Sequence, residues 1–229
     1  MLYTYPFCFV FGILYLMIIT YFGKQFFKIQ QGEMVVAFNP VSKGSKTGIS
    51  AKFGADIAFV TANNPDYNGV EQLSHGERVP FLINGPGDYD VKEIFVKGSM
   101  SSVELAGKKY INTVYSLAVD SINIAFLGAL GEEDLSKEAR EAVDGPDILF
   151  VPIGGDGVLD PAHAQKIAVQ FEPKIIIPTH WEGVGSKDAL KIFLKEAGAE
   201  GVKPVDKLTI KRKDIESKES EVVVLVSSN

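Results

Sequence analysis

Residues 55–67 read Ala55-Asp56-Ile57-Ala58-Phe59-Val60-Thr61-Ala62-Asn63-Asn64-Pro65-Asp66-Tyr67. Ile57 to Thr61 is a short apolar run of β-favouring side chains, and it stops at Ala62, where a turn-forming polar stretch begins. Runs of the same kind lie on either side of it: Phe26 to Gln30, Met34 to Phe38, Pro80 to Ile83, Ile94 to Lys97, Ile111 to Val119 and Ile122 to Leu127. Turn residues such as Gln31-Gly32, Asn84-Gly85-Pro86-Gly87 and Asp120-Ser121 separate them. Helical patterns enter only later. Leu135 to Val143 follows Glu132, Glu133 and Asp134, Pro161 to Phe171 follows Asp160, and Lys187 to Ala197 follows Ser186, each with a cap or an acidic first turn. Buried-looking strands, Ile148 to Val151 and Lys174 to Ile177, alternate with these helices, and Leu208 to Lys211 and Val222 to Val226 close the chain. Many strands, then strand and helix in alternation, suit two mixed sheets packed face to face with helices outside.

Composition agrees with one α/β domain. The 229 residues are 46% hydrophobic and 23% charged, enough for one full core. A net charge of -6 gives no general attraction for nucleic acid, and no nucleic-acid partner is expected. The one basic cluster, Lys207, Lys211, Arg212 and Lys213, alternates with Leu208 and Ile210 and reads as a protected strand edge. Cys8 is the only cysteine, so no internal disulfide or cysteine zinc site can form, which favours a reducing, cytoplasmic compartment. The loop Val41 to Lys52, rich in Gly, Ser and Lys, is expected to be mobile and to border the site.

Met1 to Gly23 carries no charge and is long enough to span a bilayer. If Ile18 to Phe22 is the first strand of the domain, however, only 16 residues remain, below the usual minimum of about 17 for a span. Residues 1–16 are therefore read as a hydrophobic extension and 17–229 as the domain. The extension is a membrane anchor, a packed helix, or an artefact of a start at Met17. As an anchor it would hold the domain on the cytoplasmic face, because Lys24 and Lys28 follow it.

Ordered segments resemble the metallo-β-lactamase superfamily, in particular a bacterial branch similar to ascorbate-6-phosphate lactonases and other small Zn-dependent hydrolases. The matching stretches are Ile18 to Gly23, Phe27 to Ile29, Ala37 to Pro40, Ala55 to Thr61, Asn84 to Tyr89, Ile124 to Gly128, Val151 to Gly155 and Ile175 to His180. The resemblance implies an α+β fold, the four-layer αββα sandwich of the metallo-β-lactamase type. It also implies a strand ending in Val-Thr that runs into an H-x-H-x-D-H motif, whose imidazoles hold Zn²⁺ and leave a position open for water. Here Ala62, Asn64 and Tyr67 stand where those His residues would be, and only Asp66 is kept. Residues 98–104 carry no His, Ala129 stands at the bridging Asp, Asn39 at the Asp of Asp-Pro, and Lys24 at the early His. His180 is retained.

Asp66 and His180 are accordingly the candidate metal and catalytic residues, a remnant that Asp156 would complete. Tyr67, Asp156, Trp181 and Lys24 are candidate contacts in the old cleft. The alternative is structural, with Asp66 bonded to loop N–H groups and His180 paired with Asp66. His75 and His163 read as solvent-facing, since neither has a second His at ligand spacing. The implied function is a non-catalytic binding or scaffold protein, with no cofactor expected beyond residual Zn or Mn and an unknown small molecule or protein as partner. The competing reading is a lactone or phosphoester hydrolase using Asp66 and His180.

Overall fold

The computed structural model describes residues 16–132, 134–143 and 145–228. The hydrophobic extension therefore lies outside the described residues except for Leu16. Among the described residues, no helix is long and apolar enough to cross a membrane.

The chain runs β1 (Met17–Gly23), β2 (Phe26–Gln31), β3 (Met34–Phe38), β4 (Ile57–Phe59), β5 (Phe81–Ile83), β6 (Gly87–Val91), β7 (Ile94–Leu105), β8 (Lys108–Val119), β9 (Ile122–Phe126), α1 (Lys137–Val143), β10 (Ile148–Pro152), α2 (Pro161–Gln170), β11 (Ile175–Thr179), α3 (Ala189–Glu196), β12 (Lys207–Ile210), α4 (Arg212–Ile215) and β13 (Glu221–Val222). Two mixed sheets result: a six-stranded one in the order β12-β1-β2-β3-β4-β5, and a seven-stranded one in the order β13-β11-β10-β9-β8-β7-β6. The expected α+β sandwich is the fold observed.

Side-chain periodicity explains the layers. In β1 every second residue is buried, so Met17, Ile19 and Tyr21 face the second sheet. β10 and β11 are buried at every position, because one face meets the first sheet and the other meets α2 and α3. Between the sheets lies an aromatic cluster in which Phe38 stacks on Phe126 at 4.4 Å and on Phe59 at 4.7 Å. On the far side of the first sheet, Phe26, Val35, Ala37 and Ala58 are covered by Val41, Ala55 and Leu73, so a loop and one 3₁₀ turn at Val70–Gln72 stand for that outer layer.

Asp160 caps α2, its Oδ1 accepting from the N–H groups of Ala162 at 2.9 Å and His163 at 3.0 Å, with Pro161 in the first turn. His163 Nδ1 lies 2.6 Å from Asp160 Oδ2, so this His belongs to the cap, while His75 is exposed in a turn. β7 and β8 differ most from the sequence reading. They form a twelve-residue hairpin turning at Ala106-Gly107, both at positive φ, where the sequence suggested that β7 ends at Lys97 and β8 begins at Ile111.

Candidate functional site

The carboxyl ends of β1, β3, β4, β9, β10 and β11 lie at one end of the sandwich, since β3-β4 and β9-β10-β11 are parallel and β1 runs the same way as β3. Open sheets present their sites at this end. The residues that leave those strands turn sharply. Lys24, Asn39 and His180 have φ of 55°, 46° and 57°, a left-handed backbone that disfavours side chains with a Cβ, and Gly128 has 61°. Such strain persists where surrounding contacts hold it, and here it brings Lys24 and His180 from two sheets to the wall of one cavity.

That cavity, of about 430 Å³, is lined by Lys24, Asn64, Asp66, Asp156 and His180, and also by Ala106 of the long hairpin. Lys24 Nζ donates to Asp66 Oδ2 at 2.5 Å and lies 4.9 Å from the Tyr67 ring centroid. Ser45 Oγ donates to the other carboxylate oxygen at 2.6 Å. Burial alone would raise the Asp66 carboxyl, but the hydrogen bonds from Lys24 and Ser45 and the lysine charge outweigh it and hold the group below its ordinary value.

His180 is buried, its backbone N–H donating to the Lys24 carbonyl at 2.6 Å. Its tautomer follows from a chain of fixed donors. Asn39 Oδ1 accepts from the Thr61 N–H at 2.8 Å, so Asn39 Nδ2 is the nitrogen that donates to Gln25 Oε1 at 3.0 Å. Gln25 Nε2 then donates to the Gly128 carbonyl at 2.8 Å and faces His180 Nδ1 at 3.5 Å. Nδ1 is thereby an acceptor, with the Tyr67 hydroxyl also 3.4 Å from it, and the ring proton sits on Nε2. Burial, reinforced by the Lys24 charge and opposed by Asp66, pushes the imidazole down to about 3, so it is neutral at physiological pH. Burial, with Asp66 and Asp156 nearby, pushes the Tyr67 phenol upward.

The sequence candidates thus divide. Lys24, Asp66, Asp156 and His180 share one cavity, and Tyr67 lies fully buried against His180 and Lys24. Trp181 does not line that cavity: it stacks on Tyr21 at 6.5 Å and packs on the helical core, its buried indole N–H unpartnered. Asp66 and His180 hold different partners. Gln25, Ser45 and Asn112 were not singled out from sequence, yet Asn112 accepts from the Ala129 N–H at 2.8 Å and donates to the Leu127 carbonyl at 2.9 Å. A lone Gln between Lys24 and Phe26 in an apolar run was the only signal for the first of these.

Ala62, Tyr67 and Ala129 pack with Val103 and Val158 into one buried apolar cluster beside the cavity. Residues 18–180 match the family described as the beta-lactamase superfamily domain. The chain belongs to the metallo-β-lactamase superfamily. Among solved structures it is similar to a metallo-β-lactamase superfamily protein from Thermotoga maritima, with a TM-score of 0.70 and 25% identity, covering 91% of this chain and 98% of that one. It is also similar to Igni18, a metallo hydrolase from the archaeon Ignicoccus hospitalis, with a TM-score of 0.60 and 15% identity over 93% and 97% of the two chains. The metallo-β-lactamase fold protein YhfI from Bacillus subtilis matches with a TM-score of 0.58 and 11% identity over 93% and 98%.

The metal that this superfamily's name implies does not fit the donors present. Among the described residues, no group of three or more His, Cys, Asp or Glu is gathered to hold an ion. Both Asp66 oxygens and His180 Nδ1 are already engaged, and the apolar cluster offers no donor except the Tyr67 hydroxyl, which is turned to His180.

Proposed function

We propose that this superfamily member is a non-catalytic descendant of the metallo-hydrolase lineage that binds a small molecule or a protein through the cavity between its sheet ends, without a metal. The observation that carries this reading is the apolar cluster. Ala62, Tyr67 and Ala129, at positions where the family resemblance implies ligands, are at most 2% exposed and are packed against Val103 at 3% and Val158 at 6%. A hydrated cation has no polar shell there, and a metal site needs one. Metal analysis of the purified full chain should find well under one equivalent of Zn, Mn or Fe; a tightly held stoichiometric metal would sink the reading. The reading includes a cytoplasmic location, with attachment to the inner membrane face if residues 1–16 act as an anchor; fractionation of cells with and without that segment tests it.

A second reading keeps hydrolysis. Its support is that His180, Asp66 and Asp156 line one cavity, and the hydrolase name borne by Igni18. A lactone and phosphodiester panel, run with and without Mn²⁺ or Zn²⁺ on the wild type and His180→Ala, separates the two. Turnover lost in His180→Ala supports the enzyme, and absent or indifferent turnover supports the binding protein.

A further inference from the structure

Lysine is seldom buried without a purpose-built partner, and Lys24 is 7% exposed in a left-handed turn. Its ammonium meets the Asp66 carboxylate at 2.5 Å and the face of Tyr67 at 4.9 Å. Asp66 in turn accepts from Ser45, whose Oγ lies 2.9 Å from Thr47 Oγ1 and accepts from the Thr47 N–H at 3.1 Å. One cation, through one carboxylate, therefore anchors the loop at Ser45 to Thr47 onto the cavity wall. Gathering a carboxylate, cancelling its charge in a partly desolvated place and ordering the adjoining loop are what a bound metal ion does for a site.

We infer that the Lys24 side chain is a built-in cation that takes over the positioning and charge-neutralising work of a metal in this cavity and, by occupying Asp66, keeps divalent ions out. The inference rests on the metal-free reading above. A divalent ion at Asp66 would have to displace the ammonium or sit within a few ångströms of it, and like charges at that range repel strongly away from bulk water. His180 and Asp156 alone do not make a competitive donor set. Asp66 is withheld by one residue, so a single substitution that frees it and adds an imidazole should raise metal affinity.

The test uses full-length wild type, Lys24→His, Lys24→Met and the double variant Lys24→His/Asp66→Ala. Co²⁺ is added and its visible d–d absorption recorded, and Zn²⁺ is added in thermal-shift assays. Lys24→His is expected to take up one equivalent of Co²⁺ at least about tenfold more tightly than wild type, through an imidazole next to Asp66 and His180. The double variant loses that gain. Lys24→Met, which removes the cation without adding an imidazole, is expected to be stabilised by Zn²⁺ where wild type is not. If a single variant folds only with metal, recovery on refolding with Zn²⁺ counts as the gain. Single variants that fold but acquire no metal, that refold no better with Zn²⁺, or a Co²⁺ gain that survives Asp66→Ala, overturn the role of Lys24 and leave the metal-free reading standing. Stoichiometric metal in the wild type overturns both.

Discussion

The His180 N–H donates to the Lys24 carbonyl at 2.6 Å, joining the left-handed residues that directly follow β11 in one sheet and β1 in the other. The Tyr21 hydroxyl donates to the same carbonyl at 3.3 Å. This bond closes the sandwich at the end where the cavity opens, and the Gly154 backbone passes so close that a Cβ there would stand 2.0 Å from the His180 carbonyl oxygen.

Gly154→Ala is therefore expected to destabilise the fold by about 3 kcal/mol or more, since neither the His180 nor the Gly154 backbone has room to yield. Gly155→Ala is the control. It has φ of 66° but nothing within 4 Å of the added Cβ, so it should cost only about 1–2 kcal/mol of backbone strain. Urea melts of the two variants read the difference directly, and equal costs would contradict the close approach.

The buried His180 links stability to pH. Its folded pKa is pushed down to about 3, while the unfolded chain titrates near 6.5. The unfolded state thus binds the extra proton between those values, and stability present above about pH 6.5 is lost as pH falls, by about 1.4 kcal/mol per unit. Unfolding free energies of wild type minus His180→Gln between pH 7 and pH 4 should show this one-proton slope. A flat difference would place the ring in water.

Breaking the Lys24–Asp66 pair should cost unequal amounts from its two sides. The Lys24 side chain is 8% exposed and that of Asp66 is 26% exposed, so Asp66→Ala, which strands the deeper charge, is expected to cost about 3 kcal/mol and Lys24→Met about 1–2 kcal/mol. The double variant should recover part of the sum, a coupling of about 1–2 kcal/mol. Because the Asp66 carboxyl is held below its ordinary value, its share is present above about pH 4 and lost as pH falls further. Chemical denaturation of the full cycle at pH 7 and at about pH 2.5, below the ordinary carboxylate value, checks size and sign.

Ala129→Asp puts a carboxylate where the resemblance implies a bridging ligand, but Ala129 is 0% exposed within an apolar cluster. We expect a loss of about 3 kcal/mol or more from an unpaired buried charge, with no recovery on adding Zn²⁺. Thermal shift with and without the metal measures it. Metal rescue would mean that the second half of an ion site survives.

Much of the fold was legible in single segments. Ile148–Pro152 and Ile175–Thr179 read as buried strands because each is apolar at nearly every position, and α2 declared itself through Asp160 and Pro161. The sequence reading of β7 stopped at Lys97, whereas the strand runs to Leu105, because Gly98, Ser99, Ser101 and Ser102 favour no strand by themselves. Pairing with residues 108–119 of β8 overrode their propensity.

For the site, the sequence by itself showed that Ala62, Asn64 and Tyr67, in the stretch after β4, and Ala129, after β9, stand where the family resemblance implies ligands. It also marked Asp66 and His180 as what remains. Only the tertiary structure decided what those two residues touch. Lys24 is 42 positions from Asp66, and Gln25 is 155 from His180. Such pairs meet only because sheet order and left-handed turns bring separate strand ends together. Local propensity is settled within a few residues, whereas the partner of a buried charge depends on how the whole chain is folded around it.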